Sequence, residues 1–505
     1  MSTVSRILAL CLILPGIVLA ASEPPREVTD EDVDRQMEQI KRYLWAQQTS
    51  SGLWHPRIRS RSRQEVTPLA ILALLEAGEK VNDPRMKQGI EAMVGIKSDN
   101  LYIRATRMMA LARAGANLEG SPLRAQMAED LAYLVGPRNR NIMRQRGAWG
   151  YKGPERQGDN SCSQFALLAL WEAERADFEI DERVLRLVES TWLRRQNRDG
   201  GWTYSGQDGV KTDSKVSMTT AGVASLYICQ DALTKQCVVY PHQQAIDRGW
   251  EYLAENLKPD YWKNGYLAFC VQRIGMASGR KFIGEMDWFA TGAAKLAEPR
   301  PGGRDYRGKW GSVVRASFEL LFLARGRIPL TFNKLDYGED RNWNFHSRDI
   351  AHFTEYMWRE YERRMRWQVV SIRDDVRELL DAPILLIAGR EALDLADEEW
   401  AKLREYTLRG GTLLFVPAHR SKAFLDSARS ALEGLYEKQA EMAGGHYKLE
   451  KLPAAHPLYT VQQKVAGGHV AAPMWGISDG TRLLAVVSER DLACPWHRRD
   501  VKRGT

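Results

Sequence analysis

Two kinds of segment carry residue types that do chemistry. Asp159-Asn160-Ser161 and Lys211-Thr212-Asp213-Ser214 set a carboxylate beside amide and hydroxyl groups, just ahead of apolar helical runs that begin near Ser163 and Thr219. A carboxylate so placed can serve as acid or base at a cavity wall, or it can cap the free amides of the helix that follows. The sequence leaves both open. His346 with Asp349, and His352 with Glu355, are three residues apart and share a helix face. They could form a metal or acid/base cluster, or equally a solvated face of ion pairs. No CxxC pair or His spacing supplies a second set of ligands, so no metal and no cofactor is assigned. Asp374-Asp375-Val376-Arg377-Glu378 has the letters of a magnesium-holding Asp-Asp-x-x-Glu. It follows a strand and opens a short helix, where acids act as caps. The same reading covers Asp30-Glu31-Asp32-Val33-Asp34, at the start of the first helix.

The elements that must position these groups repeat along the chain. One kind of run occurs six times: TPLAILALLEAG from Thr67, IRATRMMALARAG from Ile103, SQFALLALWEAE from Ser163, TTAGVASLYICQDA from Thr219, YLAFCVQRIGMASG from Tyr266 and VRASFELLFLARG from Val314. Each is rich in small residues and apolar around most of its circumference, which predicts a helix buried on nearly all sides. Amphipathic, charged helices are expected between them, over Asp30 to Gln48, Pro84 to Ile96, Pro122 to Gly136, Asp181 to Gln196, His242 to Leu257 and Phe282 to Pro299. Six buried and six half-buried helices in alternation close into a double ring, because an open solenoid would carry polar capping repeats. The turns entering the buried helices combine glycine with an aromatic, as in SGLWH (Ser51 to His55), RGAWGY (Arg146 to Tyr151), GGWTY (Gly200 to Tyr204) and RGKWG (Arg307 to Gly311).

The Gln-x-x-x-Gly-x-Trp pattern in QNRDGGW (Gln196 to Trp202) and in QQTSSGLW (Gln47 to Trp54) resembles the repeat of the squalene cyclase and prenyltransferase superfamily. The resemblance spans about residues 30 to 326 and implies an all-α (α/α)6 toroid. It carries no chemistry with it. The Asp-x-Asp-Asp acid of the cyclases, the Asp, Cys and His zinc ligands of the prenyltransferases and the Cys-Gly-Glu-Gln thioester of complement-like toroids are all missing from the sequence. What remains is the end of the ring to which all six buried helices point their N-termini. Trp54, His55, Trp149, Tyr151, Asp159, Asn160, Trp202, Asp213 and Trp310 are expected there, around a mouth suited to an anionic, glycan or lipid ligand.

Residues 327–341 contain Pro329, Gly338 and several turn formers and read as a linker. Beyond it, predicted strands (Trp367 to Ile372, Pro383 to Ala388, Thr412 to Pro417) alternate with helices (Phe345 to Arg366, Asp374 to Leu380, Ala396 to Arg409, Ser421 to Ala443), the grammar of a parallel sheet covered on both faces. Leu408-Arg409-Gly410-Gly411-Thr412-Leu413-Leu414 resembles the helix-Gly-Gly-strand junction of class I glutamine amidotransferase-like, flavodoxin-like domains. Residues 342–505 further resemble an uncharacterised domain that follows such toroids in exported bacterial proteins, on NWNFHSRD, LRGGTLLFVPAH, HPLY and SERDLACPW. An amidotransferase needs a cysteine nucleophile on a strained turn after a strand. The strands here end in Ala388-Gly389-Arg390 and Pro417-Ala418-His419 instead.

A chain of 505 residues is long enough for two or three cores. Arg6, the apolar run Ile7 to Leu19 and the small residues Ala20 and Ala21 form a secretory signal pattern over residues 1–21. The run is shorter than the ~20 residues of a membrane span. Export to the periplasm or cell envelope follows, and nucleic acid drops out as a partner. The net charge of +8, with runs at Arg57 to Arg63 and Arg138 to Arg146, suits an anionic envelope surface or a merely solvated one. In an oxidising compartment Cys229 and Cys237 could pair, or stay as buried thiols. The expected role is binding or scaffolding at the envelope. The alternative is an enzyme acting on a polyprenyl or triterpenoid lipid or a glycan, with Asp159, His55 or Asp213 as acid or base.

Overall fold

The computed structural model describes residues 28–55, 66–116, 120–136, 147–152, 158–204, 213–298, 312–338, 341–362, 364–442, 446–459 and 472–500. The signal-like segment, both basic runs and Trp310 lie outside the described residues.

Among the described residues twelve α-helices make the first domain: α1 (Asp30–Ala46), α2 (Thr67–Glu76), α3 (Pro84–Val94), α4 (Leu101–Ala114), α5 (Pro122–Val135), α6 (Asn160–Arg175), α7 (Glu182–Arg195), α8 (Val216–Leu233), α9 (Gln243–Asn256), α10 (Gly265–Ser278), α11 (Trp288–Ala297) and α12 (Ser312–Gly326). The even-numbered helices form the inner ring. Each packs on the next, and α12 returns to pack on α2, so the ring is closed. The odd-numbered helices pack outside them. The sequence pattern dictates this: every residue of α2 is buried, whereas α7 buries only Val184, Leu185, Val188, Glu189, Thr191 and Trp192 on one face. The expected outer helix from Phe282 is a correction. Phe282–Ile283 and Met286–Asp287 form a small antiparallel hairpin (β1, β2), because Gly284 takes a positive φ of 60° at its turn. Asp287 then caps α11 by accepting the amides of Phe289 and Ala290.

The second domain is built on one seven-stranded sheet, in the order β4 (Arg366–Ser371), β3 (Leu330–Asp336), β5 (Ile384–Gly389), β6 (Thr412–Pro417), β9 (Leu483–Ser488), β8 (Met474–Ser478), β7 (Glu450–Lys451). The first five strands are parallel, and β8 and β7 extend the sheet antiparallel. Helices α13 (Asp349–Tyr361), α14 (Val376–Leu379), α15 (Asp397–Leu408), α16 (Lys422–Leu435), α17 (Glu437–Met442) and α18 (Ala493–His497) complete it. The segment read as a linker therefore supplies an interior strand. Asn333 and Lys334 interrupt its apolar run; the Asn333 Nδ2 donates to Leu379 O and the Lys334 ammonium pairs with Asp349.

The domains meet along the edge strand β4. Gly279, the left-handed cap of α10 at φ 71°, leaves no room for a Cβ beside the Trp367 ring, which would stand 2.4 Å away. The Val369 amide donates to Gly279 O at 2.8 Å, adding a parallel bridge between Arg280 and Val369. A disulfide joins Cys237, after α8, to Cys494 in α18. Cys229 is a free, buried thiol, so the Cys229–Cys237 pairing is replaced by a cross-link between domains.

Candidate functional site at the domain interface

At the N-terminal end of the inner ring, the tryptophans of the expected mouth are structural. Trp54, Trp149 and Trp202 are buried, and each indole N–H donates to a carbonyl at the end of the preceding outer helix: Leu44 O at 2.7 Å, Leu134 O at 3.2 Å and Trp192 O at 2.8 Å. Each tryptophan amide in turn donates to a hydroxyl in the first turn of the next inner helix, Thr67, Ser163 or Thr219. The glutamines complete the brace. Gln196 Nε2 bonds Gly200 O and Ala245 O, and Gln48 Nε2 bonds Gly52 O and Arg85 O. Gln48, rather than Gln47, is the counterpart of Gln196.

The polar candidates there are also caps. Asp159 accepts the Cys162 amide at 3.0 Å and the Ser161 hydroxyl, while Asn160 is buried between Arg195 and Thr203 O. His55, Asp213 and Tyr151 are exposed, the Tyr151 ring lying 5.5 Å from that of Tyr102. Behind these residues, among the described ones, aromatic rings meet across the centre of the ring. Phe165 from α6 meets Tyr102 of α4 at 4.9 Å, Phe269 and Tyr266 of α10 at 5.9 and 6.3 Å and Phe318 of α12 at 6.3 Å. Rings from four inner helices thus close the centre of the toroid.

The opposite end is different. Several inner helices carry charged residues in their last turns, and the second domain covers them. Asp231, near the end of α8, accepts Arg348 Nε at 2.5 Å, His352 Nε2 at 3.0 Å and Arg499 Nη2 at 3.2 Å, all from the second domain, together with Trp171 Nε1 at 3.2 Å. Burial alone would raise its pKa, but Arg348, His352 and Arg499 outweigh this and hold the carboxyl well below the usual range. Glu76, ending α2, is buried among Arg113, Arg325 and Arg364, which likewise overcome burial and keep it ionised.

Of His346, Asp349, His352 and Glu355, the last two reach across this interface and the first two pair within the second domain, so the four do not converge. His346 Nε2 lies 3.1 Å from Asp491, Asp349 pairs with Lys334 at 2.8 Å, His352 turns to Asp231 and to His497 O, and Glu355 pairs with Arg175 at 3.0 Å. The first three are buried rather than solvated, because the toroid and α18 cover the start of α13. Among the described residues no group of three or more His, Cys, Asp or Glu could hold a metal. A strained turn does follow β6: His419 and Arg420 take φ of 52° and 58°. It carries an imidazole, 5.6 Å from that of His346, and Cys494 is held in the disulfide, so no thiol nucleophile stands there.

Among the described residues at least three cavities open between the domains: one of about 370 Å³ lies beside Trp288 and Trp367, and two others border Arg348. The larger of these two, about 590 Å³, lies beyond the C-terminal ends of β3 and β4 and is lined by Asp336, Ser371 and Arg373 on one side and Tyr227, Arg280 and Lys281 on the other. The crossing point between β3 and β5, where a parallel sheet most often binds ligands, is closed instead. Tyr337 donates to Ala388 O at 2.8 Å, and Asn342 Oδ1 accepts the Arg390 and Glu391 amides. The smaller cavity, about 150 Å³, lies over the charged end of the ring. Arg348 and Trp367 border both.

The partners of Asp231, Glu76 and the cavity walls lie far apart in sequence and escaped the sequence reading. The available signal was the charge itself, at Glu76, Arg113, Glu172, Asp231 and Arg273, on helices that should have none.

Fold and interface define a two-domain class, a closed helical toroid capped by a mostly parallel α/β domain. Residues 331–504 match a family described as a domain of unknown function, DUF4159. No curated protein matches the chain. Among solved structures, a GH76A α-1,6-mannanase from Salegentibacter sp. is 11% identical over 58% of this chain and 99% of its own, with a TM-score of 0.44. A type II terpene cyclase from Scytonema is 11% identical over 58% of this chain and 96% of its own, with a TM-score of 0.39.

Proposed function

We propose that the protein is an exported binding protein of the cell envelope, in which a filled toroid is a rigid platform and the ligand occupies the crevice between the two domains. The observation that carries this is the ring stack on Phe165, which places aromatic side chains across the centre of the ring where a lipid chain would have to lie. The buried carboxylates Glu76, Glu172 and Asp231 add to it. Each is neutralised by arginines and held below its ordinary value, the reverse of what a proton donor to an alkene or a glycosidic oxygen requires. The crevice of about 590 Å³ falls within the ~300 to 1,000 Å³ of small-molecule sites.

The Cys237–Cys494 bond supports an oxidising compartment, as does the signal-like segment at residues 1–21. The parallel order of β4, β3, β5, β6 and β9 supports the flavodoxin-like reading of the second domain, with amidotransferase chemistry left out for want of a thiol. Mass spectrometry of small molecules released from protein purified from the envelope fraction tests the reading. A bound small molecule recovered unchanged is expected. Turnover of an added glycan or polyprenyl lipid by the purified chain would refute it.

A further inference from the structure

The smaller of the two cavities bordering Arg348 has an unbalanced charge. Its wall includes Glu76, Asp231 and Glu355, and each of these is already engaged by more than one cation: Glu76 by Arg113, Arg325 and Arg364, Asp231 by Arg348 and Arg499, Glu355 by Arg175 and Arg359. Among the described residues one further guanidinium lines the cavity without a salt bridge or hydrogen bond to any carboxylate or carbonyl. Arg273, on inner helix α10, is 8% exposed, lies 5.1 Å from the centroid of the Trp171 ring and feels Glu172 and Glu76 only through longer-range attraction. Arg175 lies over the same ring at 4.2 Å. Burial, with Arg325 next, pushes the Arg273 guanidinium down to about 9, so it is a charge stored at a cost to the fold.

We propose that this cavity binds a small tetrahedral oxyanion, a phosphate ion or the phosphate group of an ester, with Arg273 as the group that meets it. A guanidinium presents a fork of five N–H donors that matches such oxygens in pairs. Trp171 holds the fork by stacking, which leaves its N–H edge free. The cavity of about 150 Å³ is the size that accommodates a benzene in an apolar site, room for roughly six heavy atoms. A phosphate has five. Donors approach from α6, α10, α12 and β4 through Arg175, Arg273, Arg325 and Arg366, which suits a tetrahedral acceptor better than a planar carboxylate.

The inference rests on reading the interface as a binding site and names the chemistry of one part of it. The test is isothermal titration of the full chain with inorganic phosphate, sulfate, glycerol phosphate and succinate at constant ionic strength, set beside thermal unfolding without added anion. The wild type should bind phosphate and sulfate in preference to succinate. Arg273→Met should weaken phosphate at least tenfold and Arg273→Lys by less, and the unliganded Arg273→Met protein should unfold at the same temperature as the wild type or higher. Glycerol phosphate binding more tightly than phosphate assigns the group to an ester, and binding more weakly assigns it to the free ion; either supports the site. Phosphate binding unchanged in Arg273→Met overturns the proposal, as does preference for succinate, or binding of none of the four. An unliganded Arg273→Met protein that melts well below the wild type also overturns it, since Arg273 would then serve the fold. Hydrolysis of glycerol phosphate would refute the binding reading and leave the anion site standing.

Discussion

Asp231→Asn isolates the contact that fastens the second domain to the toroid. The substitution keeps the shape and one acceptor oxygen but removes the charge facing Arg348 at 2.5 Å, Arg499 at 3.2 Å and His352 at 3.0 Å. Breaking a buried pair costs about 3 to 5 kcal/mol because the remaining charge is left without compensation. Here Arg348 keeps a bond to Ala277 O and Arg499 keeps Glu174 at 3.9 Å, which places the loss near the lower bound, about 3 kcal/mol. For a domain of about 150 residues this corresponds to a fall of about 6 to 12 °C in its melting temperature. The Asp231 carboxyl is held well below its ordinary value in the fold, so its stabilisation is complete at neutral pH. It is lost as acid first protonates the unfolded chain and then the folded one. Calorimetry of wild type and variant from pH 7 down to pH 3 should therefore show a gap that narrows with acid, and hydrogen exchange should show early opening of α13. A loss under about 1 kcal/mol at pH 7, or a gap that widens with acid, refutes the reasoning.

Trp202→Ala removes a fully buried ring and its bond to Trp192 O, and should cost about 3 to 5 kcal/mol by urea unfolding. Cys237→Ser should lower the free energy of unfolding by about 2 to 5 kcal/mol without reductant, and adding reductant should bring the wild type to the stability of the variant. His497 is pushed down to about 3 by burial, then by His352, His346, Lys334 and Arg348. The fold keeps it neutral while the unfolded chain takes up its proton, so stability should fall as pH drops from about 6.5 towards 3, with a slope up to about 1.4 kcal/mol per unit. His497→Gln should flatten that slope in pH-dependent denaturation.

The ring was legible because its signal is local. Runs such as TPLAILALLEAG have no polar face to turn outward, and Gly200 before Trp202 marks the turn by a positive φ of 85° that other residues resist. Strand β3 was not legible, because Asn333 and Lys334 look solvated until Leu379 and Asp349 are brought over them. The antiparallel pair β8 and β9 breaks a strict strand-helix alternation, and nothing short of the sheet order reveals it. The interface was least visible of all. Asp231 meets Arg348, His352 and Arg499 across 117, 121 and 268 residues, and one sequence holds no periodicity at such separations. His346 and His352 were found by their spacing, yet the spacing misled: His346 lies ahead of α13 and turns to Asp491, while His352 on α13 turns to Asp231.

The bond between Cys237 and Cys494 makes a covalent loop that begins at the rim of the ring, runs through the later toroid helices and the whole parallel sheet, and closes 257 residues on. A protease that cuts the backbone once anywhere inside that loop produces no separate fragment. The nicked protein migrates as one molecule until a reductant is added, and its two pieces stay at high effective concentration for re-docking. Damage to an exposed segment within the loop is thus converted from loss of a domain into a repairable opening, and only a cut outside the loop sheds mass.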